Sequence, residues 1–155
     1  MYILDKGNVF RNIYVILYVD DLVIVTKDIK VMSEFKVYLA NKFRMSDLGS
    51  IKLFLGVGVL RDNNTISLDQ KAYINTILRQ FKMSDCIPYE TPLIENLEFE
   101  KLDMNEYYDA PCQKLLGCLM YLMVCTRPDL SFSVNVLSRF VNRNNKTVWE
   151  YLKGV

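Results

Sequence analysis

Ile13-Tyr14-Val15-Ile16-Leu17-Tyr18-Val19-Asp20-Asp21-Leu22-Val23-Ile24-Val25 is the stretch whose reading decides the fold. Two apolar runs rich in β-branched residues flank an adjacent pair of carboxylates. Each run has the length and composition of a buried strand, and Asp20-Asp21 falls where the chain must reverse. Such a hairpin holds two negative charges at the rim of an apolar sheet. That arrangement costs electrostatic energy unless a cation sits between them, and Mg²⁺ takes one or two carboxylates together with substrate phosphates. Aspartate is also a common turn residue, so on the hairpin alone a solvated turn and a cation site both stand.

The chain has 155 residues, 51% of them hydrophobic and 24% charged. That is enough for one domain with a real core, or for a piece of something larger. Its uncharged apolar runs fall far short of the ~18–20 residues of a membrane span. Asp5 and Lys6 follow at once on Met1-Tyr2-Ile3-Leu4, which leaves no signal-peptide core. The expectation is an intracellular, cytoplasmic chain with no membrane partner. Nineteen basic residues against 18 acidic give a net charge of +1. A free-standing nucleic-acid binder normally carries a basic surplus, because phosphate neutralisation supplies most of its affinity. There is no histidine, which excludes Ser-His and Cys-His nucleophilic catalysis. The four cysteines, Cys86, Cys112, Cys118 and Cys125, form no C-x-x-C pair, so zinc is not expected. Cys118 and Cys125 fall two helical turns apart, about 10 Å along the axis and too far for a disulfide, so all four read as reduced thiols.

Along the chain, Tyr2-Ile3-Leu4 is a weak strand signal and Lys6-Gly7-Asn8 a turn signal. Asp28 can cap a helix to about Phe43 with Val31, Phe35, Tyr38 and Leu39 on one face. Residues 45–50 read as a loop, 52–60 as a single strand, and Arg61-Asp62-Asn63-Asn64 as a turn into a short strand over 65–68. Asp69 is placed to cap a helix with the stripe Tyr73, Ile74, Ile77, Leu78 and Phe81. Periodicity is lost from 83 to 109, which reads as a linker containing Pro88 and Pro92. Pro111 suits the first turn of a helix reaching Cys125. Arg127-Pro128-Asp129 then starts another, with Leu130, Val134, Leu137 and Val141 aligned. A last helix opens near Trp149, and only about two turns of it are expected to bury its face poorly.

Taken together, Tyr18-Val19-Asp20-Asp21, Lys42-Phe43-Arg44-Met45-Ser46-Asp47-Leu48 and Phe54-Leu55-Gly56 resemble the reverse transcriptase of copia-type LTR retrotransposons. So do Asp69-Gln70-Lys71-Ala72-Tyr73-Ile74, Thr91-Pro92, Leu116-Gly117-Cys118-Leu119-Met120-Tyr121-Leu122 and Cys125-Thr126-Arg127-Pro128-Asp129-Leu130, in that family's order and approximate spacing. The resemblance implies an α+β fold: part of a polymerase palm, with the Tyr-x-Asp-Asp hairpin in an antiparallel sheet, followed by helical thumb and connection segments. It implies residues 1–68 as late palm, 69–109 as thumb-like helix and linker, and 110–155 as helical connection. Asp20 and Asp21 then map onto catalytic, metal-binding carboxylates, with Asp20 the direct ligand. Tyr18, two residues earlier and expected on the same side of the strand as Asp20, maps beside the primer or nucleotide. Phe54, Leu55 and Gly56 map onto a strand that grips the primer end.

The implied reaction is two-metal nucleotidyl transfer with Mg²⁺, or Mn²⁺ in its place. The implied partners are an RNA or DNA template-primer, a dNTP and the remainder of the Pol polyprotein, in the parent element's virus-like particle. The family carries a further essential Asp on a strand far upstream, together with the fingers, and the 17 residues before Tyr18 do not hold them. Asp5 lies outside that motif. Gly58, where relatives tend to carry a charged residue, and Glu90 before Thr91-Pro92 also depart from the pattern. The expectation is a fragment of an RNA-directed DNA polymerase, inactive by itself; the alternative is a non-enzymatic transposon remnant or a small retained binding module. Lys42 and Arg44 read as solvated surface, Met120, Tyr121 and Met123 as helix packing, and Arg127 and Asp129 as a local cap.

Overall fold

A computed structural model describes residues 2–3, 13–88, 91, 108–143 and 145–155. The Lys6-Gly7-Asn8 turn signal, Glu90, Pro92 and most of the 83–109 linker lie outside the described residues. The chain mixes helices with two small antiparallel sheets and divides into two compact units, Met1–Ile51 and Lys52–Val155.

The first unit is built on the quoted stretch. Strands β1 (Tyr2–Ile3), β2 (Tyr14–Tyr18) and β3 (Asp21–Val25) form an antiparallel sheet in that order. Tyr14 pairs with Val25, Val15 with Ile24 and Tyr18 with Asp21. Alternation sends Ile13 and Val15 to the packed face, where they meet the buried Phe35 and the half-buried Leu22, Ile24, Val31 and Leu39. Tyr14, Ile16, Tyr18 and Val25 lie exposed on the other. Helix α1 (Ile29–Lys42) starts where Asp28 accepts the Lys30 amide N–H at 2.8 Å, as the sequence predicts. After it, Asp47 accepts from Lys36 Nζ at 2.9 Å and from the Gly49 amide at 2.9 Å. Those two bonds tie the 43–50 loop back to the helix, and Gly49 takes φ +77°.

In the second unit the single strand expected over 52–60 is instead a hairpin. Strand β4 (Leu53–Phe54) turns at Leu55-Gly56 into β5 (Val57–Arg61), with Phe54 paired to Val57. Both turn residues have positive φ, +50° and +78°, the requirement of a two-residue primed turn that Gly56 meets without steric cost. β5 continues into β6 (Ile66–Asp69), where Gly58 faces Asp69. Helix α2 (Lys71–Gln80) has Gln70 rather than the expected Asp69 at its N-cap, although the Asp69 carboxylate still accepts the Lys71 N–H at 3.1 Å.

Helices α3 (Cys112–Cys125), α4 (Ser131–Ser138) and α5 (Lys146–Gly154) then close around one core. Leu115, Leu116, Leu119 and Leu122 recur at helical spacing on α3, and the stripe Leu130, Val134, Leu137 and Val141 is buried throughout. Ile77 of α2 joins them, and Phe81 meets Trp149 at 6.0 Å between ring centroids. The expectation that the last helix buries its face poorly is corrected. Asn145 caps α5 by accepting the Thr147 N–H at 2.7 Å, and Val148 and Leu152 are fully buried. Tertiary packing of an apolar face, rather than length, holds a short helix. Among the described residues no helix is long and apolar enough to cross a membrane.

Candidate active site

The tip of the first hairpin carries both carboxylates of the quoted stretch. Tyr18 and Asp21 form the last pair of the ladder, leaving Val19 and Asp20 as the two-residue loop. This register corrects the expectation that Tyr18 and Asp20 share a side of one strand. The chain reverses between them, so Tyr18 and Asp21, directly opposed, project from the same face of the sheet. Val19 is β-branched, 78% exposed and held at φ +50°. Positive φ is strained for such a side chain, and strain of this kind persists only where the surroundings over-determine it. Here the five ladder pairs beneath the loop do so.

Asp20 and Asp21 are both exposed, and no lysine or arginine pairs with either among the described residues. Two adjacent hard oxygen donors with no internal counter-ion suit a divalent cation better than a structural ion pair. No group of three or more metal-ligating side chains occurs among the described residues, and the pair contributes two. The residue types and their exposure fit Mg²⁺; their number does not complete a site for it.

Phe54, Leu55 and Gly56 lie in the second unit, at the β4–β5 turn. Phe54 is half-buried, and Leu55 and Gly56 are exposed. The Leu55 carbonyl accepts a hydrogen bond from the Tyr121 hydroxyl of α3. The Tyr121 ring meets Tyr73 of α2 edge-on, 4.9 Å between centroids at 86°. Burial pushes the Tyr73 phenol up to about 12, and its hydrogen bond with Cys118 adds to the shift, so it stays neutral at physiological pH. Thr126 Oγ1 donates to Gln70 Oε1 at 2.6 Å, linking the end of α3 to the start of α2. All four cysteines are free.

The other singled-out residues fall in simpler places. Lys42 and Arg44 are exposed, as expected. Arg127 grips Asp129 through two nitrogens at 2.8–3.1 Å across the helix break, which holds the Asp129 carboxyl below the usual range. Met123 packs on the core, but Met120 is 41% exposed. Sequence reasoning missed Asp47 and Gln70 as organising residues. The Asp47-x-Gly49 spacing is a local signal for the first, since aspartate side chains bond the backbone two residues on. Gln70 and Thr126 are too distant in sequence for any such signal.

Residues 1–95 match the family model described as reverse transcriptase (RNA-dependent DNA polymerase). The chain belongs to this reverse transcriptase family. It is 36% identical over 152 residues to a retrovirus-related Pol polyprotein from a transposon of Nicotiana tabacum, covering 92% of this chain and 11% of the relative. It is 31% identical over 143 residues to an uncharacterized mitochondrial protein of Arabidopsis thaliana, covering 92% of this chain and 59% of that one. A second transposon Pol polyprotein, from Arabidopsis thaliana, is 28% identical over 159 residues, 100% of this chain and 10% of its own length. The reverse transcriptase chain thus spans about a tenth of the Pol polyproteins it matches. No solved structure gives a significant match.

Proposed function

We propose that this chain supplies the catalytic hairpin, the primer-facing turn and the adjoining helices of a copia-type retrotransposon RNA-directed DNA polymerase. The observation that carries the reading is the hairpin tip, where two exposed carboxylates with no cationic partner among the described residues follow Tyr18 in a register fixed by five strand pairs. In this reading residues 1–68 contribute to the palm, 69–109 to the thumb and 110–155 to the connection.

Asp20 and Asp21 would hold Mg²⁺, with Mn²⁺ as a substitute, and Asp20 is the direct ligand. When bound, the metal makes the primer 3′-hydroxyl a better nucleophile and neutralises charge on the triphosphate. The residues of this chain do the positioning. The hairpin presents both carboxylates at a rigid rim, Tyr18 packs beside the primer end or the nucleotide, and the Phe54-Leu55-Gly56 turn faces the primer strand. The substrates are an RNA or DNA template-primer and dNTPs, and the remainder of the Pol polyprotein is the partner. A two-metal centre draws carboxylates from several strands, whereas the hairpin gives two adjacent ones, so the 155 residues do not polymerise by themselves.

The test is incorporation of a labelled dNTP on a primed RNA template with Mg²⁺. The chain alone is expected to match a heat-killed control. Completed with the upstream part of the tobacco relative it is expected to be active, and Asp20→Ala should then cost at least ~10³-fold, about 4 kcal/mol of transition-state stabilisation. Asp21→Ala should cost less. Tolerance of Asp20→Ala in an active chimera overturns the assignment, whereas incorporation by the chain alone that Asp20→Asn abolishes overturns only its inactivity and shows the site to be complete.

A further inference from the structure

The β4–β5 turn is held by a residue 66 positions away in sequence. A hydrogen bond over that distance has no local folding role. Three observations converge on the donor. The Tyr121 hydroxyl bonds the Leu55 carbonyl. A Cβ built on Gly56 would stand 3.0 Å from that same oxygen and 3.9 Å from two ring carbons, so the hydroxyl fills the space a side chain would need. The ring itself is fixed edge-on by Tyr73 at 4.9 Å. Gly56 is therefore required twice, once for φ +78° and once for the close approach of Tyr121.

We propose that Tyr121 is a positioning residue that fixes the Leu55-Gly56 turn against α3 so that it can receive the primer strand of a nucleic-acid duplex. The inference rests on the reading of Phe54-Leu55-Gly56 as primer-facing. The frame behind the turn is stiff: Leu115, Leu119 and Leu122 bury the same helix in the core, and Thr126 ties its end to Gln70. In front, Leu55 stays 39% exposed and the Gly56 backbone is exposed. Packing alone would be served as well by phenylalanine, which keeps the ring against Tyr73 and loses only the hydroxyl. Tyr121→Phe thus separates a packing role from a positioning one.

Two measurements on Tyr121→Phe decide the matter. In the 155-residue chain, hydrogen exchange at the amides of 55–57 should quicken about three- to tenfold, the change expected for one net hydrogen bond, while the amides of α4 keep their protection. In the polymerase completed with the upstream part of the tobacco relative, KM for primer-template should rise about fivefold, with kcat and the KM for dNTP nearly unchanged. Gly56→Ala, which disturbs the turn directly, should raise the same KM. If Gly56→Ala raises it and Tyr121→Phe alters neither exchange nor KM, Tyr121 does not position the turn, and the primer-facing reading survives. If both variants quicken exchange but neither moves the primer KM, the turn does not face the primer and the proposal falls with that reading.

Discussion

Asp47 shows how much one side chain can organise when its partners are local and distant at once. Its carboxylate accepts from Lys36 of α1 and from the Gly49 amide, and both bonds favour the ionised form. The Lys36 ammonium, more than the backbone donor, holds the group below the usual Asp range. A depressed folded pKa means that the contribution is present above the unfolded carboxylate value and is lost as pH falls through the folded one. Carboxyl ¹³C NMR titration should therefore find Asp47 titrating below its ordinary range, and Lys36→Met should return it most of the way. The Gly49 amide shift should move with the same midpoint. An ordinary Asp47 midpoint in the unmodified chain would mean that the bridge does not persist in solution, as happens with many exposed ion pairs. The same scale explains what sequence conceals at the hairpin tip. Asp20 and Asp21 are legible as a pair, but the loop register is not. Only the pairing of Tyr18 with Asp21 shows which carboxylate shares a face with the tyrosine.

The elements that were legible are those whose period survives in the side chains. The stripe Leu130, Val134, Leu137 and Val141, running through α4 and the single turns on either side of it, is buried along its whole length, and α1 begins at its Asp cap, because both signals are written within a few turns of helix. The 52–60 segment was misread for a definite reason. Leu53, Phe54, Val57 and Val59 give 52–60 the composition of one strand despite Gly56 and Gly58, and the tight turn inside it depends on Gly56 together with an unfavourable φ +50° at Leu55, which the strand formers on either side conceal. The last helix misleads in the opposite sense. Judged as an isolated helix it is too short to be stable, yet Val148 and Leu152 lie fully inside the core shared with α3 and α4. Leu152→Ala should therefore destabilise the chain by about 2–5 kcal/mol, as for buried leucines generally. Glu150→Ala, which removes only the exposed pairing with Lys153, should cost under about 1 kcal/mol. Urea denaturation followed by Trp149 fluorescence measures both, and equal small losses would show that α5 is not docked.

At the scale of the whole molecule, charge and family membership pull in different directions. A reverse transcriptase handles nucleic acid, yet this chain has 19 basic and 18 acidic residues, a balance of +1. Affinity for a duplex comes largely from lysine and arginine neutralising phosphates, with log K falling by about 0.9 per contact for each unit of log salt. A chain without a basic surplus can make few such contacts without also bringing acidic groups towards the backbone. In the proposed reading the hairpin does so, since Asp20 and Asp21 are exposed and unpaired among the described residues. The 155 residues should accordingly bind an RNA–DNA duplex only in the non-specific range, ~10⁻⁴–10⁻⁶ M at physiological salt, with a salt slope matching a handful of contacts. Asp20→Asn with Asp21→Asn should tighten that binding a few-fold, because it removes two repelling charges from the tip. In the completed polymerase the same double change should abolish synthesis while leaving duplex binding intact or improved. Fluorescence anisotropy with a labelled duplex gives the affinities. A nanomolar dissociation constant for the chain alone would show a concentrated basic surface that the overall balance hides, and would shift the polymerase's grip on its substrate from the rest of the polyprotein to these helices and hairpins.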